Sequence, residues 1–296
     1  MAEAQFPRTL LLATDGLQDS ALALDAAVDL ASRAGADLHV VHVWQAPPPF
    51  APVGMVPVVV EDQSSEVESA ARNLLEKEVE KVRSRGVTNV HPHLLSGRPA
   101  EEILSVARQI EADLIIIGSR GKSGLERLMM GSTSEEVVHH AHVPVLVLRG
   151  GADVWPPHKV VVGDDFSEEA ERAAEIAAAI AKLLGCGLEL ITAYPTPVHP
   201  RRHPEVLSEL LQSLQESSSQ RSENLRGRFQ VEVKPVVEAG DPAEVLLRHS
   251  DRDGEPTLVV VGARGLGAVQ RMLLGSVSTK ILRTSRNPVL VCPRPR

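Results

Sequence analysis

The chain has 296 residues, a formal net charge of −8, 43% hydrophobic and 24% charged residues, and only 2% aromatics. This is the balance of a soluble globular protein, long enough for two ordinary domains that each bury a core. The acidic balance excludes general nucleic-acid binding, which neutralises phosphates with basic patches, and the scarcity of rings removes base-stacking platforms.

The first predicted element is the apolar strand Thr9-Leu10-Leu11-Leu12-Ala13, followed by Thr14-Asp15. Residues 21–34 have helical periodicity and an Ala-rich composition, and Gly35 stops them as a C-terminal cap. A second strand reads from Leu38 through Val43 to Trp44. Residues 46–57 are Pro-rich and read as an irregular loop, because the residue before each proline resists helix. Such a loop is either a surface excursion or a lid. Pro99 sits just inside a later helix, where its missing N–H costs little. Leu114-Ile115-Ile116-Ile117 is a buried strand running into Gly118-Ser119-Arg120-Gly121; nine residues later come Gly131-Ser132. Ser132 with Glu135 has capping-box spacing and predicts a helix start there. Val145-Leu146-Val147, led by Pro144, closes the first half.

The series then repeats. Val160-Val161-Val162-Gly163 ends in Asp164-Asp165, and 168–184 is a helix stopped by Gly185. The strand 188–194, the Pro-bounded segment 195–204 and the helix-opening Pro242 follow. Leu258-Val259-Val260-Val261 runs into Gly262-Ala263-Arg264-Gly265, again nine residues before Gly275-Ser276, and Val289-Leu290-Val291 follows Pro288. An interval of about 150 residues is far too long for a solenoid unit and reads as a duplicated domain. The expected domains are 1–150 and 159–296, joined by a linker at 151–158. Apolar strands alternating with helices predict α/β halves with five-stranded parallel sheets covered on both faces. Such sheets bind ligands at the carboxyl ends of their strands. The two closing strands should be sheet edges that pair antiparallel, Val145 to Val147 with Val289 to Val291, which would hide an aggregation-prone edge.

A strand that ends in a Gly-rich turn before a helix start suits phosphate, because the backbone approaches closely and orphan amides face the anion. Gly121-Lys122-Ser123 is not a Walker A loop, since Ile116 stands where its first glycine is required. Arg120 and Arg264 either touch phosphate or are solvated loop charges. Asp15 and Asp165 either meet a sugar hydroxyl or make local Asx turns. His91, His93, His139, His140 and His142 read as surface or helix-cap residues rather than zinc ligands. Asp15-Gly16-Leu17 after the first strand argues against a GxGxxG dinucleotide turn.

Taken together, the doubled G-x2-G-x9-G-[ST] motif, the strand-end aspartates and the closing x-Pro-Val-Leu-Val strands resemble the ATP-binding branch of the universal stress protein family, in tandem form. The resemblance covers nearly the whole chain. It implies two Rossmann-like domains of the adenine nucleotide alpha hydrolase-like type, binding ATP with accompanying Mg2+. On the first half it implies a site of Ala13, Asp15, Val43, Gly118, Ser119, Arg120, Gly121, Lys122, Ser123, Gly124, Gly131, Ser132 and Thr133. On the second it implies Gly163, Asp165, Ala193, Gly262, Ala263, Arg264, Gly265, Leu266, Gly267, Ala268, Gly275, Ser276, Val277 and Ser278. Val277 in place of Thr133 removes one hydroxyl from the second site. With no catalytic motif evident, the implied role is a nucleotide-dependent stress-response regulator without efficient turnover. A slow ATPase or phosphotransferase is the alternative. Isolated Cys186 and Cys292, the absence of a membrane-length apolar run and a start unlike a signal peptide point to a cytoplasmic protein without a membrane partner. A protein partner and a homodimer are left open.

Overall fold

The computed structural model describes residues 6–46, 50–53, 56–59, 64–119, 130–195, 204–265 and 274–294. The first half contains β1 (Thr9–Ala13), α1 (Gln18–Ala34), β2 (Asp37–Trp44), β3 (Phe50–Val53), β4 (Val56–Val59), α2 (Ser64–Ser84), β5 (Val90–Ser96), α3 (Pro99–Gln109), β6 (Leu114–Gly118), α4 (Ser132–His140) and β7 (Val145–Leu148). A single 3-10 turn at Ala152–Val154 leads to the second half. That half contains β8 (Lys159–Gly163), α5 (Glu168–Leu184), β9 (Gly187–Tyr194), α6 (Pro204–Phe229), β10 (Val233–Ala239), α7 (Pro242–Asp251), β11 (Thr257–Gly262), α8 (Ser276–Thr284) and β12 (Val289–Cys292).

Helix boundaries follow the local chemistry. Gly35 and Gly185 end α1 and α5 in the left-handed conformation (φ 63° and 72°), where a Cβ would be strained. Pro99 and Pro242 occupy the first turns of α3 and α7. The segment 46–57 departs from expectation. β3 within it pairs antiparallel with β4, which begins in it and runs on to Val59, with Pro52 opposite Pro57. A two-stranded ribbon consists only of edges, where a proline can turn its missing N–H away from the ladder. Of the corresponding segment 195–204, residues 196–203 lie outside the described residues.

Within each half the strands are parallel, and the halves join into one ten-stranded sheet ordered β10-β9-β8-β11-β12-β7-β6-β1-β2-β5. The seam is the only antiparallel step in this sheet: Val289, Leu290 and Val291 face Val147, Leu146 and Val145. The closing strands therefore pair as their short apolar sequences predict. The outer edges β5 and β10 each carry a proline at their third residue, Pro92 and Pro235, which disfavours further strand addition.

Strand alternation divides the core into two layers. Leu10, Leu12, Val160 and Val162 pack toward α1, α2 and α5, with Leu225 of α6 in the same cluster. Leu11, Ala13, Val161 and Val261 pack with side chains of α3, α4, α7 and α8. Leu10, Leu11, Ile115, Ile116 and Leu146 are fully buried, so both faces of the sheet are dry. Burying such a leucine contributes roughly 1.5–3 kcal/mol.

Two side chains reinforce the seam. Trp155 donates its Nε1–H to Asp29 Oδ2 at 3.1 Å. Arg149, just past β7 and 3% exposed, donates to the Leu282 carbonyl in the last turn of α8. A cation there complements the carbonyl end of the helix.

Candidate functional site

Each half opens a crevice at the carboxyl ends of its strands. The first encloses about 670 Å³ and the second about 360 Å³. In the first, Ala13 ends β1 with Asp15 two residues beyond, Val43 is next to last in β2, Gly118 ends β6, Gly131 is the N-cap of α4, and Ser132 and Thr133 open that helix. In the second, Gly163, Asp165, Ala193, Gly262, Arg264, Gly265, Gly275, Ser276, Val277 and Ser278 line the corresponding wall. The fold thus gathers residues far apart in sequence, because parallel strands put all their carboxyl ends on one side.

Ser119 and Ala263 sit behind the crevices and hold the turns. The Ser119 N–H donates to Leu148 O and its carbonyl accepts from Gly131 N–H, both at 2.7 Å. Ala263 repeats this pair with Cys292 and Gly275, again at 2.7 Å. The expected site residues Arg120, Gly121, Lys122, Ser123, Gly124, Leu266, Gly267 and Ala268 lie outside the described residues.

The capping box does not form. α4 starts at Ser132, but Gly131 is its N-cap (φ −69°, ψ 149°) and no side chain caps it. With the cap one residue earlier, Ser132 and Glu135 fall out of phase with the box. Glu135 turns instead to Arg283 at 3.5 Å. Ser134 does the fastening: its hydroxyl donates to the carbonyls of Gly118 (3.0 Å) and Ser119 (3.2 Å). In the second half Ser278 donates to Gly262 O at 2.6 Å, and α8 likewise starts from Gly275 without a side-chain cap. In both halves the glycine turn is bound to the helix it precedes, and the first-turn amides stay available to an anion. Ser134 was missed as a site residue, although its repeat mate Ser278 signals it.

The strand-end aspartates make Asx turns. Asp15 Oδ1 accepts from Leu17 N–H at 3.0 Å. Asp165 Oδ1 accepts from Ser167 N–H at 3.1 Å and from its hydroxyl at 2.6 Å. Gly265 lies close against Asp165, and a Cβ there would fall 2.0 Å from Oδ2. At Gly262 a Cβ would meet the Arg264 carbonyl at 3.0 Å. These glycines therefore permit close backbone approach at a strand end.

The residue before each aspartate gives the two crevices different walls. In the first, Thr14 donates to Glu78 Oε2 at 3.1 Å and accepts from Gly16 N–H at 3.1 Å, while His42 Nδ1 bonds the Thr14 carbonyl at 2.8 Å. In the second, Asp164 is buried with Oδ1 bound to Arg221 at 2.5 Å and to Phe166 N–H at 3.0 Å. Burial pushes the Asp164 carboxyl above the usual carboxylate range, against the opposing pull of Arg221. Phe166 takes the left-handed backbone (φ 64°) that Gly16 takes in the first half, and the Arg221 guanidinium lies over its ring at 5.4 Å. Sequence patterns missed Arg221, which belongs to a helix 57 residues away from Asp164.

Two five-stranded parallel units, joined edge to edge and each with a glycine-lined crevice at its strand ends, define a tandem Rossmann-like protein. The Universal stress protein family model matches residues 7–149 and 157–293. A universal stress protein of Mycobacterium tuberculosis is 30% identical over 301 residues, covering 98% of this chain and 99% of that protein. One of Bacillus subtilis is 37% identical over 145 residues, covering 47% of this chain and 97% of its own length. Among solved structures, a universal stress protein from Archaeoglobus fulgidus matches with a TM-score of 0.70 at 26% identity, covering 97% of this chain and 98% of that one. The chain belongs to the universal stress protein family, in its tandem form.

Proposed function

We propose that this tandem universal stress protein binds ATP in both crevices and acts as a nucleotide-dependent regulator without efficient turnover. The observation that carries the reading is the repeated gathering of a strand-end aspartate, a strand-end glycine and an uncapped helix start around each crevice. Gly262 and Gly265 let the turn close against the Arg264 carbonyl and Asp165 beside the crevice, where a Cβ would not fit. Gly118, Gly131, Ser132 and Thr133 would hold phosphates in the first site, and Gly262, Gly265, Gly275, Ser276 and Ser278 in the second. The β2 and β9 backbone at Val43 and Ala193 would meet the base, and Asp15 and Asp165 would meet the sugar through their second carboxylate oxygen while Oδ1 keeps the Asx turn. Mg2+ would enter with the phosphates and neutralise their charge, as it commonly does when held by few protein ligands.

Regulation is favoured over catalysis because the hydroxyl–carboxylate pairs at the crevice walls serve the fold: Thr14 donates to the buried Glu78, and Ser167, which donates to Asp165, caps α5. The test is mass spectrometry of nucleotide released by denaturing the purified protein, followed by calorimetry. ATP released intact supports binding without turnover, whereas ADP alone favours the slow ATPase. Gly118→Ala should weaken ATP binding at the first crevice by about 1–3 kcal/mol. Wild-type affinity at both sites would remove the glycine turn from the phosphate site.

A further inference from the structure

Behind the wall of the second crevice lie four buried oxygens that no described group hydrogen-bonds: Asp164 Oδ2, Thr192 Oγ1, Ser218 Oγ and Ser222 Oγ. They converge by topology. Gly163 pairs with Ile191 in the β8–β9 register, which sets Asp164 beside Thr192. Thr192 alternates onto the face of Leu188 and Leu190, the side of the sheet where α6 packs. On α6, Ser218 and Ser222 are one turn apart and fully buried, and Arg221 between them reaches Asp164 Oδ1.

The internal repeat shows what this region looks like when it is dry. α2 presents Leu75, Glu78, Val79 and Val82 to the first half at the spacing with which α6 presents Ser218, Arg221, Ser222 and Leu225. Leu75 and Val79 are buried apolar side chains, and the outer ones of each set, Val82 and Leu225, are both core. The second half therefore sets two short hydroxyls where the first sets a leucine and a valine, and Thr192 where the first has His42. Two short hydroxyls stand there in place of two branched apolar side chains, and their oxygens have no described partner.

We infer that the second half holds a buried cluster of resident water molecules between α6 and the β8–β9 strands, bound by Asp164, Thr192, Ser218 and Ser222. Charge and hydrogen-bond roles select water over an ion. Arg221 already neutralises Asp164 and would repel a cation, and Asp164 would repel an anion. Each hydroxyl can both donate and accept, and water answers both roles where an ion answers one. A polar site with several partners is the setting in which internal water is retained, each molecule needing about 30 Å³ of liquid volume. Because Asp164 also borders the crevice, the cluster would give that wall a hydrated backing that the first half lacks.

Magnetic relaxation dispersion of water on the full chain counts long-lived internal waters directly. The double variant S218L/S222V, which copies the first half, should lose at least one of them while remaining folded by circular dichroism. Unchanged dispersion in the folded variant would overturn the inference. Should the variant not fold, a high-resolution crystal structure of the natural chain decides. Water density bridging Asp164 to the hydroxyls supports the cluster. Serine hydroxyls turned onto α6 carbonyls in a closed interior, or an ion revealed by anomalous scattering after a rubidium or bromide soak, would overturn it.

Discussion

Acidification should loosen the outer edge of the first half through three histidines. His39 on β2 pairs in register with His91 on β5. Their rings stack at 4.6 Å, and His93 adds a third ring 5.1 Å from His39. His39 Nδ1 lies 2.8 Å from His93 Nε2, so one neutral ring donates to the other. Burial first, then His91 and His93, lower the His39 pKa from 6.5 to about 4, with Asp37 pulling the other way. Burial and His91 lower His93 as well. The unfolded chain therefore takes up a proton near pH 6.5 that the folded chain resists, and stability falls as the pH drops from 6.5 toward 4. The full His39 difference is worth about 3 kcal/mol, and solvent screening of this half-buried group reduces it to about 1–2 kcal/mol. Urea unfolding of the wild type and His39→Leu at about pH 7 and about pH 4.5 isolates the effect, because the other carboxylates and histidines largely cancel in the difference. The wild type should lose about 1 kcal/mol more than the variant. Parallel losses in the two proteins would refute the stacked-ring reasoning.

Three further outcomes follow from contacts elsewhere. Arg221→Met leaves the buried Asp164 carboxylate without its cation and should cost about 3–5 kcal/mol in denaturant unfolding, much of it recovered when Asp164→Asn is added. Arg149→Met removes a charged bond to the end of α8 and should lower stability by about 1.5–3 kcal/mol; a thermal midpoint equal to the wild type would deny the seam that role. Gly265→Ala places a methyl against Asp165 Oδ2, so calorimetry should show ATP affinity at the second crevice falling at least about tenfold while the first is unchanged.

Much of the architecture is determined by the sequence alone, because its causes are local. Apolar runs such as Leu114-Ile115-Ile116-Ile117 bury on both faces, Gly35 and Gly185 take left-handed caps, and prolines mark the first turns of α3 and α7. The repeat made the paired crevices legible, and two short apolar strands with no other cover indicated the β7–β12 seam. What only the tertiary structure decided depends on groups brought together across long separations. Whether Ser132 or Gly131 caps α4 is set by the bond from Gly131 to Ser119, which shifts the helix start by one residue. The pairing of Pro52 with Pro57 depends on a ribbon with no inner strand. His39 joins His91 and His93 because the β2–β5 register faces them, and Arg221 meets Asp164 because α6 packs on β10 and β9, next to β8 in the sheet. Polar side chains carry no periodic signal, so their partners are fixed only when strand register and helix placement are.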